Sequence, residues 1–258
     1  MTRLLEHLDA CRSQGRKLLV PYLVAGIPDR QSFGHALELV ARHADVVEVG
    51  LPYSDPLMDG PVIAAAAERA IAAGVGPIEA MSLSASVEVG PRVAMTYYNP
   101  IHRVGESAFC KRAAAAGFWG LIVPDLPFEE AGGLMAAAAS EGLAWIPLVS
   151  PTSSPKRIET IVSSATGFVY AVSTLGVTGT RAQLSERAAA VVKSCRAATD
   201  LPILVGIGIS TPEHAVEASR DSDGVVIGSA VVARVLERGA EEAGSFLASV
   251  RAALDASR

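Results

Sequence analysis

The sequence predicts one (β/α)8 barrel, a TIM barrel of the α/β class, over residues 1–258, with an extra N-terminal helix. Three observations lead there. Short apolar runs recur eight times, with helix-like stretches between them. The runs are continuously apolar rather than alternating, as strands buried on both faces of a parallel sheet should be. No Pro/Gly/Ser stretch is long enough to divide the chain, and 258 residues is an ordinary length for such a barrel. A doubly wound open sheet is the alternative with the same alternation of elements.

Residues 2–14 read as the extra helix, followed by a strand at 17–23 and a helix at 31–42. The next strand is 45–49. The alanine-rich run at 64–73 is good helix material, with a low-complexity linker as its alternative. Strands at 93–96 and 120–123 alternate with helices at 105–116 and 129–141. The strand at 144–148 leads to a helix at 155–165, and the strand at 167–171 to a helix at 181–198. Strands at 202–205 and 224–227 complete the set, the last opening a further helical segment. Most Gly/Pro-rich breaks fall after strand ends, where a barrel carries its functional loops.

Composition narrows the function. Half the residues are hydrophobic and 19% are charged, which supports a substantial core. A net charge of −5 argues against a nucleic-acid partner, although backbone amides can still build a local phosphate site. No apolar run reaches membrane-spanning length, and charges in the first turns are unlike a signal peptide. Cys11, Cys110 and Cys195 are few and far apart, which fits a reducing compartment. The five histidines show no metal-ligand spacing. The expectation is a cytoplasmic protein with no metal, membrane or nucleic-acid ligand.

Residues 48–61, EVGLPYSDPLMDGP, carry the strongest chemical signal. Alternation in the strand puts Glu48 on the face of Val46, with Val47 and Val49 opposite. A carboxylate there, next to Gly50, is costly unless it is paired or protonated. Asp59 follows on the loop leaving the same strand end, so two carboxylates can converge, as proton-shuttling chemistry needs.

Two glycine segments lie at the ends of the last two strands: Gly206 and Gly208 within VGIGIS, and Gly228-Ser229 at the start of the final helical segment. Barrels frequently hold phosphate at these loops, through close backbone approach and a helix N-terminus. Tight turns alone are the alternative. The loop 173–179 has the polar-glycine character of a closing loop or of an ordinary connection, and Tyr170 before it reads equally as a core aromatic. Asp125, between two prolines, suits a turn, a ligand contact or a partner contact.

Read together, PYLVAGIPD, EVGLPYSDPLMDGP, MTYYNPI, GLIVPDLPFEE, GFVYAVSTLGVTG, VGIGIST and DGVVIGSAVV resemble, in order, the motifs of the tryptophan synthase alpha subunit family. The resemblance implies a carbon–carbon lyase that cleaves 1-(indol-3-yl)glycerol 3-phosphate to indole and glyceraldehyde 3-phosphate. It implies Glu48 and Asp59 as catalytic carboxylates, with Tyr170 beside them and Tyr22 and Tyr97 near the substrate. Thr178, Gly179, Gly206, Gly208, Gly228 and Ser229 match the substrate- and phosphate-binding positions. No cofactor is implied in this chain. Pyridoxal phosphate is expected only in a partner beta subunit, within an α2β2 assembly, with Ser54-Asp55-Pro56-Leu57 as the partner-facing segment.

Several positions depart from the commoner pattern. Ile27 and Val62 stand where Asp and Thr are frequent, Ala64 replaces Gln, and Thr174-Leu175 replaces Arg-Ser or Arg-Thr. These loops are the ones expected to close the site and meet the partner. Other readings are a free-standing indole-releasing lyase, a sugar-phosphate isomerase sharing the phosphate loops, and a non-catalytic activating subunit.

Overall fold

The computed structural model describes residues 1–172, 181–206 and 208–257, without the side chains of 181–186. Its strands are β1 Leu18–Val24, β2 Val47–Gly50, β3 Arg92–Met95, β4 Gly120–Ile122, β5 Ala144–Trp145, β6 Leu148–Val149, β7 Val169–Val172, β8 Ile203–Gly206 and β9 Gly224–Ile227. They pair in parallel in the order β5-β4-β3-β2-β1-β9-β8-β7-β6.

The two ends of that order, β5 and β6, are successive parts of one chain segment. Sequence reading expected a single strand at 144–148; Pro147 divides it. Proline has no N–H for a ladder, so the pairing changes partner there. The Ile146 amide donates to the Leu121 carbonyl at 3.1 Å, towards β4. The Pro147 carbonyl accepts from the Tyr170 amide at 3.0 Å, towards β7. Segment 144–149 thereby bridges both edges, and the sheet closes as a barrel of eight staves.

The helices are α1 Arg3–Ser13, α2 Phe33–Ala41, α3 Pro61–Ala72, α4 Pro77–Ala85, α5 Tyr98–Val104, α6 Glu106–Ala115, α7 Gly132–Ser140, α8 Pro155–Val162, α9 Arg181–Arg196, α10 Pro212–Ala218, α11 Ser229–Arg238 and α12 Ala240–Ala256. Inward residues such as Val20, Val46, Val93 and Ile122 form the barrel interior. Helix α1, capped by Thr2 through the Leu5 amide, packs Leu4 and Leu8 against that interior. Its Arg3 donates to the Phe118 carbonyl ahead of β4, which places the helix as a plug at the N-terminal end of the barrel. The opposite end is left for loops.

The helix expected at 129–141 is broken. A 3-10 turn, Phe128–Glu130, precedes α7 at Gly132. A β-carbon at Gly133 would sit 2.5 Å from the Glu106 carboxylate, the mobile end of a flexible side chain. The stretch Tyr97–Pro100, which follows the strand expected at 93–96, turns directly into α5. No single helix among the described residues is long and apolar enough to cross a membrane.

Candidate active site

Strand alternation decides where Glu48 points. Val47 and Val49 pack outward under the helices while Val46 faces the barrel interior, so Glu48 faces inward. It pairs in register with Tyr22 on β1 and Val93 on β3. The residue is 3% exposed, and its Oε2 is buried without a hydrogen-bond partner among the described residues. Burial pushes its pKa up to about 8, and the nearby Asp59 charge adds to the shift. Near neutral pH it holds a proton.

Asp59 lies on the loop between β2 and α3. Its amide donates to the Pro56 carbonyl at 3.1 Å, and it sits just ahead of Gly60, the N-cap of α3. The helix end favours the ionised form. The loop does not leave the carboxylate fully solvated. Asp59 is half-buried, and this burial raises its pKa to about 6, partly offset by the Tyr97 hydroxyl. The two carboxylates thus titrate apart, Glu48 the higher.

Tyr97 does more than line the site. Buried at the start of α5, its hydroxyl accepts the Met58 amide at 3.1 Å and also bonds Asp59. Its ring packs on Tyr53, with centroids 5.3 Å apart. Burial and the adjacent Asp59 raise its pKa, so it stays a neutral donor. The loop position of Asp59 is therefore set by an aromatic just past the next strand, β3, and only the three-dimensional pairing reveals it.

Tyr22 and Tyr170 complete the surroundings, each over a glycine on a neighbouring strand. A β-carbon on Gly50 would overlap the Tyr22 hydroxyl. One on Gly206 would lie 2.5 Å from the Tyr170 ring. Both tyrosines have pKa values well above normal, from burial first and then from Asp59 and Glu48. The structure thus joins Tyr22, Glu48, Asp59, Tyr97 and Tyr170 in one electrostatic group. An in-facing glycine at a strand end was the sequence signal for a large ring seated beside it.

At the β8 and β9 ends, Gly208 is open, with nothing within 4 Å of a β-carbon placed there. Gly228 is the N-cap of α11, no side chain caps that helix, and Ser229 is its first residue. Gly206 has its own steric reason, the Tyr170 ring. Thr178 and Gly179 lie outside the described residues, as do Thr174 and Leu175. Ile27 is fully buried in the outer core, while Val62 on α3 is 36% exposed.

A cavity of about 340 Å³ opens beside this group, at the ends of β4 to β7. Met58, Leu148 and Val172 line it, but neither carboxylate does, so it forms the adjoining part of the barrel mouth. Asp125 on its rim accepts the Tyr98 amide at 2.9 Å, a bond that ties two loops together. Among the described residues, no group of three His, Cys, Asp or Glu side chains could hold a metal.

Comparison with known proteins agrees with this geometry. Residues 8–255 match the sequence model of the tryptophan synthase alpha chain family. The alpha chain of Synechococcus elongatus is 46% identical, over 99% of this chain and 98% of that one. The alpha chain of Thermosynechococcus vestitus is 42% identical, over 97% of each. Among solved structures, a tryptophan synthase from M. tuberculosis superposes with a TM-score of 0.90 at 36% identity, covering 98% of both chains. The alpha subunit from Legionella pneumophila gives 0.90 at 32% identity, covering 99% of both. A paired-carboxylate barrel mouth, matched along its whole length at such identity, leaves one conclusion: the chain belongs to the tryptophan synthase alpha chain family.

Proposed function

We propose that this chain performs the alpha reaction of tryptophan biosynthesis through Glu48 and Asp59, cleaving 1-(indol-3-yl)glycerol 3-phosphate to indole and glyceraldehyde 3-phosphate. One observation carries the residue assignment: a buried inward carboxylate with a pKa near 8 stands beside a second that titrates near 6. Neighbouring carboxylates held apart in this way take different roles.

Indole is a poor carbon leaving group until C3 is protonated. Protonated Glu48 supplies that proton, and the ring becomes an iminium-like electrophile. The resulting Glu48 carboxylate then takes the proton of the side-chain hydroxyl on the carbon attached to C3. As that hydroxyl becomes the aldehyde, the C–C bond breaks and its electrons return to the ring. Glu48 ends protonated, as it began. Ionised Asp59 accepts the indole N–H and stabilises the positive ring. Tyr97 holds Asp59, while Tyr22 and Tyr170 exclude water around Glu48.

The substrate phosphate is assigned to Gly208 and to the α11 N-terminus at Gly228-Ser229, with Thr178, Gly179 and Gly206 as family-matched neighbours. Open backbone at Gly208 and the uncapped helix support this reading. These steps are proton transfers only, so no cofactor is required in this chain; pyridoxal phosphate belongs to the beta partner. The partner face is assigned to the segment 54–57, where Leu57 is 86% exposed. We place the protein in the cytoplasm as part of an α2β2 complex, a setting that suits its three free cysteines.

The deciding assay is indole release from indole-glycerol phosphate, with and without a beta subunit from the same organism. Slow release alone and faster release in the complex is the expected result. Full activity alone with no complex at micromolar concentrations would favour a free-standing indole-releasing lyase. No release under either condition would reject the catalytic assignment.

A further inference from the structure

Ser210, just past the open Gly208, is gripped from two sides by residues outside the catalytic group. On one side stands α10. Its N-cap Thr211 accepts the His214 amide at 3.3 Å, which fixes the first helical turn. The His214 ring then turns back over the loop. Its Nδ1 is 3.4 Å from the Ser210 amide nitrogen and 3.1 Å from Ser210 Oγ. On the other side stands Arg234 of α11. Nη2 donates to the Ser210 carbonyl at 3.2 Å, and Nη1 donates to the Ala230 carbonyl at 2.8 Å. The guanidinium stacks on Phe246 of α12, 3.8 Å from the ring centroid.

Arg234 therefore bridges the β8 loop and the first turn of α11 from behind. These are the two segments assigned above to the phosphate, on which this inference rests. Backbone N–H donors lose strength steeply when distance or angle drifts. Two loops on separate strands must keep their spacing for both to meet one anion. A planar fork with two donors in fixed geometry maintains such spacing better than the point charge of a lysine. We infer that Arg234, with His214 as its counterpart on α10, positions the β8 loop against α11 and so sets phosphate affinity without touching the phosphate.

The test compares Arg234→Met, Arg234→Lys, His214→Ala and Gly228→Val in the full chain. Each is assayed for glycerol 3-phosphate binding by calorimetry, for KM and kcat with indole-glycerol phosphate, and for Tm. Arg234→Met keeps an apolar stem against Phe246 and loses both donors. Glycerol 3-phosphate affinity should fall about tenfold and KM should rise by a similar factor. Because the lost interaction is shared by ground and transition states, kcat should stay within about twofold. His214→Ala should lose about threefold in affinity, and Arg234→Lys should fall between wild type and Met. Unchanged affinity in both Arg234 variants would overturn the inference, as would a fall in kcat at constant KM. If Arg234→Met does not fold, Arg234→Lys decides by the same criteria. Gly228→Val separates the two levels. If it weakens binding while the Arg234 variants do not, only the positioning role fails. If it too leaves binding intact, the phosphate assignment itself is wrong.

Discussion

Asp45, at the foot of β2, and Glu48, three residues along, are both acidic and both buried, at 4% and 3% exposure. Their surroundings differ completely. Asp45 accepts the Leu19 amide at 2.8 Å, Arg16 Nε at 2.6 Å and Arg251 Nη1 at 3.2 Å. Those contacts tie β1, β2 and the last helix α12 together at the closed end of the barrel. Glu48 has a tyrosine, a second carboxylate and apolar strand for company, and its Oε2 has no described partner. A buried carboxylate costs free energy unless it is compensated or neutralised. The closed end compensates its acid with cations; the open end leaves its acid to hold a proton. One arrangement supports the fold, and the other is the one proposed above to carry the proton transfers.

Breaking the compensated end should have the largest effect. Asp45→Ala leaves the Leu19 amide without its acceptor and takes from the buried Arg251 guanidinium one of its two carboxylate partners, Asp255 being the other. Removing one partner of a buried pair typically costs about 3–5 kcal/mol. Urea unfolding should show a loss of that size, while kcat measured on the folded fraction changes by less than about threefold. A small stability loss with a large drop in kcat would invert the division of labour between the two ends.

Glu48→Gln should do the reverse. Shape is kept, but the group can no longer give and take the proton, so turnover should fall roughly a hundredfold or more, equivalent to about 2.7 kcal/mol. Stability at neutral pH should hold or rise, because an unpaired buried acid is removed. Asp59→Asn should also be severely impaired, through loss of charge stabilisation on the ring. Near-normal turnover in Glu48→Gln would remove Glu48 from the chemistry.

How much of this contrast was legible in the sequence depends on range. Strand alternation alone put Glu48 on the inner face with Val46, and the staves fell within a residue or two of their expected positions. Asp59 was recognisable as a second acid on the adjoining loop. Its burial was not, because that depends on Tyr97, far along the chain and at the start of a helix that the sequence reading did not assign. Gly206 was read for its backbone alone, whereas the Tyr170 ring of the next strand fills its vacant side. The Asp45 pairing with Arg251 was equally invisible, since it joins residues 206 apart in sequence. The two strand halves around Pro147 were missed because a short apolar run carries no sign of which neighbour it pairs with.

The pH response should sharpen the comparison at intermediate scale. A carboxyl whose folded pKa is raised binds its proton more tightly folded than unfolded, so its contribution is fullest below the unfolded pKa and declines as pH rises. For Glu48 the window runs from the ordinary carboxyl value of 4.5 to about 8. Stability should decrease across that interval, and Glu48→Gln should flatten the slope. Activity should need Asp59 ionised, above about 6, and Glu48 protonated, below about 8. A bell with its optimum near neutrality follows, with the two limbs belonging to the coupled pair. A stability difference between wild type and Glu48→Gln that does not vary with pH would contradict the uncompensated setting of Glu48.

The smallest expected effect lies at the surface of the open end. Leu57, at 86% exposure, makes no core contact in the isolated chain, yet it sits two residues before Asp59. Leu57→Ser should therefore change stability by no more than about 0.5 kcal/mol and leave the turnover of the isolated chain as it is. Its consequence should appear only when beta subunit is titrated in. On the proposed docking, a partner on this segment would bias the loop that carries Asp59 and so link binding to catalysis. Losing one apolar anchor should weaken association several-fold and shift the activation curve to higher partner concentration, with the same plateau. Light scattering and indole release followed in the same titration distinguish the cases. An unshifted curve would take Leu57 out of the interface. A lowered plateau at saturating partner would instead mean that Leu57 transmits the docking signal to Asp59 as well as holding the partner.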